Sequence, residues 1–456
     1  MRDRRRRFGT VTFRKILVAN RGEIARRIFR TCRTMGIQTV AVYSEADKGA
    51  VHVREADEAV QIGPPPAAQS YLNMDAVIRA AKETGAEAVH PGYGFLSENG
   101  DFAERCEREG LVFIGPSPEV IRAMGSKIEA RRRMQAAGVP VVPGTERPVD
   151  TLEEAMEAAE GIGYPLMVKA SAGGGGIGMS RVETPEELKK TFESTRARAV
   201  NFFGDGALFL EKWVEGPRHI EVQVAVDAHG NAVHLFEREC SVQRRHQKVV
   251  EESPSPFLND AMRERLTAAA LRGATAIGYR NLGTMEFLFD AKGNFYFLEM
   301  NTRLQVEHPV TELITGLDLV EWQIRIAAGE RLPVLETPAR RGAAVECRVY
   351  AEDPVRFLPS PGTVTALAWP EGVRVDTGVE KGSAVTPFYD PMIAKIIAHG
   401  STREEALARM ERALSETRIE GIKTNLPFLL EVMRNTEFRR GSYDTGLVQK
   451  MQNGKA

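Results

Sequence analysis

The segment from residue 299 to residue 307, EMNTRLQVE, has a polar side chain at every odd-numbered position. Successive side chains of an extended chain point to opposite faces, so these polar groups would share one face of a strand. A solvated strand face is the ordinary alternative, but it gives no reason for acids, amides and an arginine to alternate so strictly. We predict a functional polar stripe formed by Glu299, Asn301, Arg303, Gln305 and Glu307.

A hairpin directly before this segment would place two carboxylates opposite each other. Residues 291–294 indicate a four-residue loop, and with Asp290 opposite Phe295 the register places Glu286 opposite Glu299. Two facing carboxylates repel each other, and burial raises the pKa of one unless a cation lies between them. Magnesium prefers such oxygen ligands, so we predict a magnesium site, whereas a slip of register would separate the acids.

A glycine-rich loop, KASAGGGGIG at residues 169–178, follows a short apolar run. Its backbone N–H groups can approach phosphate oxygens closely, and Lys169 adds a positive charge nearby. The loop lacks the Walker pattern GxxxxGK[ST], so it indicates a nucleotide site of a different fold. Taken alone, the run is weak evidence and is also compatible with a flexible linker.

The run QRRHQKVVEE, residues 243–252, places basic residues directly before acidic ones. A charged run of this kind is usually a solvated face. The alternative is a pocket for a small anion such as carbonate or phosphate. Both interpretations stay open on the residues alone.

Charge and hydropathy exclude several classes of partner. The 61 lysines and arginines nearly balance the 62 aspartates and glutamates, which argues against nucleic acid and against an anionic membrane surface. No apolar run approaches the roughly 18 residues that a membrane span needs, and the first residues lack the apolar core of a signal peptide. We expect a cytoplasmic protein whose four separated cysteines are packing residues.

The beginning of the chain has a strand–helix–strand pattern. An apolar run at residues 15–20 precedes helical spacing up to Met35, Gly36 ends that helix, and residues 37–43 form a second β-branched run. This order predicts a parallel sheet. Because the first turn holds one glycine instead of GxGxxG, we expect a Rossmann-like layer without a dinucleotide.

The rest of the chain predicts two further arrangements. Residues 141–214 have their own strand and helix pattern, which indicates a small inserted unit around the glycine-rich loop. From residue 215 onward, long alternating stretches predict an antiparallel sheet covered by helices.

Five motifs, taken together and in this order, resemble the biotin carboxylase family of the ATP-grasp superfamily. The resemblance extends from about residue 13 to residue 443, which is nearly the whole chain. The motifs are HPGYGFLSEN (90–99), KASAGGGGIGM (169–179), QRRHQK (243–248), EMNTRLQVEHPVTE (299–312) and ECRVYAEDP (346–354).

The resemblance implies a fold of mixed α/β and α+β class in three parts. Residues 13–124 would form a Rossmann-like N-terminal domain, and residues 125–330 an ATP-grasp region with a lid at 141–214. Residues 331–446 would form a C-terminal domain with a mixed sheet.

The resemblance also assigns roles to individual residues. Bicarbonate would be bound by Lys248, Arg303 and Val306, with Glu307 as the base that removes its proton. Arg348 would hold the ureido oxygen of biotin. Magnesium or manganese, at two sites, would be held by Glu286, Glu299 and Asn301. The residues implied to contact the nucleotide are Lys127, Lys169, Gly175, Gly176, Glu211, Lys212, Trp213, Val214, His219, Gln243 and His246.

The implied activity is ATP-dependent carboxylation of biotin by bicarbonate, through carboxyphosphate, as the first half-reaction of acetyl-CoA carboxylase. The sequence has no AMKM-like attachment motif, so biotin would arrive on a separate biotin carboxyl carrier protein. Carboxyltransferase subunits and a second copy of the chain are the other implied partners. Ile177 stands where many family members carry arginine or lysine, which removes one expected lid contact to phosphate.

Three alternatives stay open. The chain could serve a propionyl-CoA, other acyl-CoA or pyruvate carboxylase. It could be a different bicarbonate-activating ligase of the carbamoyl-phosphate synthetase type, although Arg348 and the HPGYG motif favour the biotin branch. A non-catalytic nucleotide-binding subunit would be expected to lack Glu307, Lys248 or a metal carboxylate, and all are present.

Overall fold

The N-terminal part of the protein is a parallel sheet in the order β3-β2-β1-β4-β5. The structure, a computed structural model, describes residues 13–170, 179–204 and 206–454. The strands of this sheet are β1 (Lys15–Val18), β2 (Gln38–Ser44), β3 (Glu58–Gly63), β4 (Ala88–His90) and β5 (Val112–Phe113). The helices of this part are α1 (Gly22–Met35), α2 (Val51–Glu55), α3 (Met74–Thr84), α4 (Gly100–Arg108), α5 (Pro118–Gly125) and α6 (Lys127–Ala136).

Strand β1 is buried on both faces, which explains its continuous apolar sequence. Ile16 and Val18 pack with Ile28 of α1, while Leu17 packs on the other side with Phe102 of α4. Parallel sheets covered by helices on both faces have apolar strands of this kind. Helix α1 ends where the sequence predicts, since Gly36 has φ 74° in the left-handed region that glycine adopts readily.

The inserted unit has an antiparallel sheet in the order β7-β6-β8, with two helices. Its elements are α7 (Leu152–Ile162), β6 (Leu166–Ala170), β7 (Met179–Val182), α8 (Pro185–Phe203) and β8 (Leu208–Lys212). It has its own small core, in which Val168 of β6 packs with Phe192 of α8. Gly144 lets the chain enter this unit closely, because a Cβ there would lie 2.4 Å from the carbonyl oxygen of Leu210.

The largest sheet continues from the central part of the chain into the C-terminal part. Its order is β13-β12-β9-β10-β11-β14-β19-β17, and all pairs are antiparallel. Its strands are β9 (Arg218–Val226), β10 (Ala232–Arg244), β11 (Gln247–Ser253), β12 (Asn281–Phe289), β13 (Phe295–Asn301), β14 (Ala343–Tyr350), β17 (Arg374–Thr377) and β19 (Met392–Gly400). The remaining strands form two small ladders: β15 (Gly362–Thr363) with β18 (Ala384–Val385), and β16 (Ala366–Ala368) with β20 (Arg418–Glu420).

The pairing of β11 with β14 joins the two parts that the sequence separates near residue 330. The C-terminal strands in this sheet are antiparallel, so the mixed sheet expected there has no parallel pair within the described residues. The central and C-terminal parts therefore share one sheet, and the side chains of both can meet on its faces.

Helices cover the two faces of this large sheet. They are α9 (Asp260–Ala276), α10 (His308–Thr315), α11 (Leu319–Ala327), α12 (Arg403–Glu416), α13 (Leu426–Arg434), α14 (Thr436–Arg440) and α15 (Leu447–Asn453). Helix α9 packs on the apolar face of β9 with Leu266, while α10 packs on the opposite face, where Thr311 accepts a hydrogen bond from Arg238 of β10. None of the described helices is both long enough and apolar enough to cross a bilayer.

Candidate active site

A lysine whose side chain is 13% exposed, surrounded by three carboxylates, lies on the polar face of the large sheet. The Nζ of Lys248 is 2.5 Å from Glu221 Oε2, 2.6 Å from Glu286 Oε1 and 2.7 Å from Glu307 Oε1. The three acids come from β9, from β12 and from the residue before α10, so the strand order brings them together. We call these four residues the lysine–carboxylate cluster.

Mutual charge compensation sets the protonation of this cluster. Burial alone would lower the pKa of Lys248, but the three carboxylates outweigh it and raise the pKa well above its ordinary value. Burial alone would raise the pKa of Glu307, but Lys248 and then Arg348 lower it below the ordinary range. Burial and the charge of Glu307 raise the pKa of Glu221. The base assigned by the resemblance is therefore ionised and held between two cations.

Glu286 lies opposite Glu299, which confirms the predicted register. Near the turn, however, Phe289 pairs with Phe295, one position away from the predicted alignment. A bulge at Leu298 inserts one extra residue between this pairing and that of the two acids. The prediction is correct at the acids because the bulge compensates for the different alignment beside the turn.

The repulsion between the two acids is compensated by cations of the protein itself, whereas the sequence argument assigned that role to magnesium. Glu286 Oε1 accepts hydrogen bonds from Lys248 Nζ, from Asn301 Nδ2 at 2.8 Å and from Gln305 Nε2 at 2.8 Å. The other carboxylate oxygen of Glu286 is 2.6 Å from His219 Nε2. Burial alone would raise the pKa of Glu286, but Lys248 and His219 lower it well below its ordinary value.

Glu299 has an exposed side chain on the wall of a cavity of about 170 Å³ that is also lined by Lys127, Glu98 and Asn301. Desolvation within the cleft and the charge of Glu286 raise the pKa of Glu299. Carboxylate oxygens on adjoining strands suit a hard divalent cation, so these residues fit magnesium or manganese. The amide oxygen of Asn301 already accepts a hydrogen bond of 2.8 Å from Arg303 and would have to exchange that partner for a metal.

The predicted polar stripe is not one strand face. Strand β13 ends at Asn301, and residues 302–307 form a loop before α10. The loop turns inward because Leu304 is fully buried in the core between the N-terminal sheet and α11. The polar residues still meet through the loop, since Arg303 bonds Asn301 and Gln305 reaches Glu286.

Arg348 of β14 approaches the cluster from the C-terminal part of the sheet. Its Nε is 2.6 Å from Glu251 Oε1, and its Nη2 is 3.0 Å from Glu307 Oε2. Burial alone would raise the pKa of Glu251, and although Arg348 opposes it, the value stays raised, to about 7. Arg348, Arg303 and Val306 line a cavity of about 530 Å³. Two cations thus contact Glu307, which adjoins the cavity-lining residues Val306 and Arg348.

The residues implied to bind nucleotide divide into three groups. Lys169 forms an ion pair with Glu211, whose other oxygen is 3.3 Å from Arg131. Burial, followed by the charge of Lys169, lowers the pKa of Lys127. These three predicted residues face one another at the mouth of the inserted unit.

The second group sits at the ends of β8 and β9. The ammonium group of Lys212 donates to the backbone oxygens of Gly163 and Tyr164, at 3.1 and 2.7 Å, so two of its three N–H donors are used within the inserted unit. The indole nitrogen of Trp213 is buried without a hydrogen-bond partner among the described residues. Val214 follows in the connection to β9.

The third group comes from the run at residues 243–248. Gln243 points inward, with its Nε2 2.6 Å from His219 Nδ1. Arg244 forms a buried ion pair with Glu352, whereas His246 is exposed in the β10–β11 turn with φ 66°. The run is therefore neither wholly solvated nor wholly an anion pocket. Gly175, Gly176 and Ile177 lie outside the described residues.

Sequence reasoning missed several residues that shape the site. Glu221 and Gln223 alternate with apolar residues on β9, a pattern as regular as that of β13, and it was available as a signal. Arg238 is fully buried and donates to Glu221 at 2.5 Å and to Gln305 at 2.6 Å, although no local pattern distinguishes it. Glu98 lies in the motif HPGYGFLSEN and accepts a hydrogen bond of 2.9 Å from Arg303 Nε.

Three family models match consecutive parts of the chain. Residues 12–121 match the biotin carboxylase N-terminal domain, and residues 346–450 match the biotin carboxylase C-terminal domain. Residues 126–335 match the ATP binding domain of the carbamoyl-phosphate synthase L chain. The matched region between the two biotin carboxylase models contains the lysine–carboxylate cluster.

The chain is also similar along nearly its whole length to known proteins. It is 59% identical over 441 residues to Biotin carboxylase 2 of Bacillus subtilis (strain 168), covering 96% of this chain and 99% of the relative. A crystal structure of a biotin carboxylase–β,γ-ATP complex from Campylobacter jejuni superposes with a TM-score of 0.93 at 46% identity, covering 96% of this chain and 99% of that chain.

A third similar structure contains small ligands. It is the biotin carboxylase domain dimer of the 2-oxoglutarate carboxylase of Hydrogenobacter thermophilus, in complex with MgADP, ADP and bicarbonate. The TM-score is 0.91 at 49% identity, covering 96% of this chain and 97% of that chain. The fold and the acid-lined cleft are those of an ATP-grasp ligase. Within that class, the chain belongs to the biotin carboxylase family.

Proposed function

We propose that this protein carboxylates biotin on a separate carrier protein, using ATP and bicarbonate through carboxyphosphate, as the first half-reaction of acetyl-CoA carboxylase. The observation that carries this proposal is the placement of Glu307 between Lys248 and Arg348, next to the larger cavity that Val306 and Arg348 line. A base flanked by two cations suits a reaction that deprotonates one small anion and then stabilises a second.

Glu307 would act as the base that removes the proton of bicarbonate. With no anion bound, Lys248 and Arg348 hold the pKa of Glu307 low, which makes it a weak base. Bicarbonate would be bound by Lys248, Arg303 and the backbone of Val306. Its negative charge would then draw Lys248 away from Glu307. Because Glu307 then loses compensating charge, its pKa rises when the substrate arrives. The site thus activates its base only when there is a proton to remove.

The cleft between Lys127, Lys169 and the large sheet would hold ATP, with Gln243 and His219 at its base. Magnesium or manganese, held by Glu286, Glu299 and Asn301, would neutralise the charge that develops on the transferred phosphoryl group. The MgADP and bicarbonate in the Hydrogenobacter thermophilus domain support this choice of ligands.

Arg348 would bind the ureido oxygen of biotin in the larger cavity. Its Nε is anchored by Glu251, so the outer edge of the guanidinium group has a fixed direction. Carboxyphosphate would break down to carbon dioxide and phosphate, and the phosphate would take the ureido proton. The enolate-like biotin, stabilised by Arg348, would then attack carbon dioxide.

The carrier, the carboxyltransferase subunits and the homodimer are proposals that rest on the family and on the dimeric domain named above. The alternative is that the chain is the biotin carboxylase subunit of a propionyl-CoA, other acyl-CoA or pyruvate carboxylase. We also propose the domain boundaries 13–124, 125–330 and 331–446. The cytoplasmic location stays a prediction.

ATP hydrolysis by the purified protein tests the proposal, measured with and without bicarbonate and then with added biotin. We expect bicarbonate-dependent turnover that biotin increases and that Glu307→Gln abolishes. Equal rates in carbonate-depleted buffer would overturn the proposal. Stimulation by ammonia instead of biotin would favour a ligase of the carbamoyl-phosphate synthetase type.

A further inference from the structure

A fully buried lysine, Lys395 on β19, lies beneath the larger cavity without lining it. Its side chain is fully buried, and its Nζ donates to the backbone oxygen of Val306. The same Nζ is 3.3 Å from Glu23 Oε1. Glu23 in turn accepts a hydrogen bond from the hydroxyl group of Tyr93. One ammonium group thus contacts the loop before Glu307 and, through Glu23, the glycine-rich turn of the N-terminal part.

The groups that Lys395 holds come from two different parts of the chain, and both line the cavity. Val306 and Arg303 line the cavity from the loop before α10, which we call the bicarbonate wall, whereas Glu23 and Tyr93 line it from the N-terminal part, which we call the biotin wall. The charge of Lys395 is balanced within the protein, since the carboxyl groups of Asp376 and Glu346 also act on it from β17 and β14. Lys395 therefore acts on any ligand in the cavity only through the residues that it holds.

Close packing fixes the same relation between the two walls. Gly378 follows β17, and its N–H donates to Ile393 of β19 at 3.0 Å. A Cβ at Gly378 would lie 2.9 Å from the backbone nitrogen of Glu23. The first turn of α1 therefore lies directly against the strand pair β17–β19, without room for a methyl group.

We propose that Lys395 is a positioning residue that sets the spacing between the bicarbonate wall and the biotin wall of the active site. The proposal rests on the proposed function, since it assigns Val306 to bicarbonate and Tyr93 to the biotin cavity. Lys395 makes two sets of contacts. We call its contact with Val306 the bicarbonate arm, and its contact with Glu23, and through Glu23 with Tyr93, the biotin arm. Loss of Lys395 disturbs both arms, whereas loss of the charge on Glu23 disturbs only the biotin arm.

Steady-state kinetics of the full-length chain with free biotin separate the two arms. For Lys395→Met we expect the KM values for bicarbonate and for biotin each to rise about tenfold, the effect of one hydrogen bond to a charged group. For Glu23→Gln we expect about the same rise in the KM for biotin and an unchanged KM for bicarbonate. The KM for ATP stays at the wild-type value in both variants, a split that a general loss of structure would not produce.

Two further variants complete the experiment. Lys423→Met removes an exposed lysine of the C-terminal part and serves as the matched control, with wild-type kinetics expected. Gly378→Ala moves α1 without changing any charge and is expected to raise the KM for biotin as Glu23→Gln does.

The results that overturn the inference are distinct from a failure of the proposed function. Absence of bicarbonate-dependent turnover in the wild-type protein contradicts the proposed function, whatever the variants do. With an active wild type, unchanged KM values in folded Lys395→Met overturn the inference, as does an equal rise of both KM values in Glu23→Gln. If Lys395→Met does not fold, Glu23→Gln decides alone, and wild-type KM values in that variant overturn the inference.

Discussion

The parallel N-terminal sheet and the large antiparallel sheet bury their strands equally deeply but with different chemistry. Strand β1 contributes Ile16, Leu17 and Val18, all fully buried and all apolar. In β9, Val222 is fully buried on one face while Glu221 is fully buried on the other. The comparison shows that burial alone does not identify a hydrophobic core, because the large sheet buries an ionic network along its polar face.

The two sheets therefore respond differently to substitution. In the N-terminal sheet, loss of a side chain removes apolar contacts and leaves a cavity, so the effect appears in stability. On the polar face of the large sheet, each charge is compensated by a neighbour, and loss of one partner leaves the other buried and unpaired. There the effect appears in catalysis as well.

The largest expected effect is that of Arg348→Met on the polar face. Removal of one preorganised donor from a developing oxyanion costs about a hundredfold to a thousandfold in rate, so we expect biotin-stimulated turnover to fall by about a hundredfold or more. Turnover with bicarbonate alone should survive, because Lys248 still holds Glu307. The ratio of the two rates measures the effect. Arg434→Met, at an exposed ion pair, is the control, and stimulation by biotin in Arg348→Met would contradict the account.

Leu17→Ala probes the apolar sheet. Leu17 is fully buried, so we expect the free energy of unfolding to fall by about 2–5 kcal/mol, with kcat unchanged where the variant is folded. Denaturant titration and turnover at the same temperature check both statements. Leu72→Ala, at a residue that is 42% exposed, should change stability by no more than about 0.5 kcal/mol. A lower kcat in Leu17→Ala with unchanged stability would contradict the statement that substitutions in the N-terminal sheet affect stability and not catalysis.

Glu299→Gln tests the metal site at the edge of the polar face. The magnesium concentration for half-maximal turnover should rise by at least about tenfold, as at other metal sites that lose a ligand or its support. Stability in the absence of metal should not fall, because the substitution removes the repulsion between Glu299 and the charge of Glu286. Glu371→Gln, at an exposed acid of the C-terminal part, is the control. An unchanged magnesium requirement would remove Glu299 from the metal site.

The smallest effect is a pH dependence of stability at Glu346. Both carboxylate oxygens are buried without a hydrogen-bond partner among the described residues, and burial raises the pKa well above 4.5, although Lys395 opposes it. As pH rises above 4.5, the unfolded chain loses this proton before the folded protein does, so stability falls.

Glu346→Gln removes the titrating carboxyl group, so the fall in stability with rising pH should disappear. The variant should gain on the wild type as pH rises, by at least about 1 kcal/mol at pH 8. Thermal unfolding of both proteins at acidic and at alkaline pH measures the gain. A difference between the two proteins that does not change with pH would mean that Glu346 does not hold a proton in the folded state.

The sequence was sufficient where a local pattern decides the structure. The continuous apolar run of β1 and the glycine after α1 predict their elements because both signals act within a few residues. The opposition of Glu286 and Glu299 also followed from a hairpin, although a bulge at Leu298 was needed to produce it.

The sequence was insufficient where residues far apart compensate one another. Lys248 meets Glu221 and Glu286 only because the strand order places β9 between β10 and β12, and no local pattern gives that order. For the same reason, the charge on Glu286 was assigned to a metal before Lys248 and His219 were known to lie beside it. The joining of β11 to β14 likewise depends on residues about 100 positions apart.

Transfer of labelled carbon from bicarbonate to biotin tests the central claim most directly. The purified protein is supplied with labelled bicarbonate, ATP, magnesium and free biotin, and both ADP and labelled carboxybiotin are measured. We predict label in biotin that depends on ATP and that disappears in Glu307→Gln. Formation of ADP in the presence of biotin, with no label reaching biotin at any ATP concentration, would contradict the account.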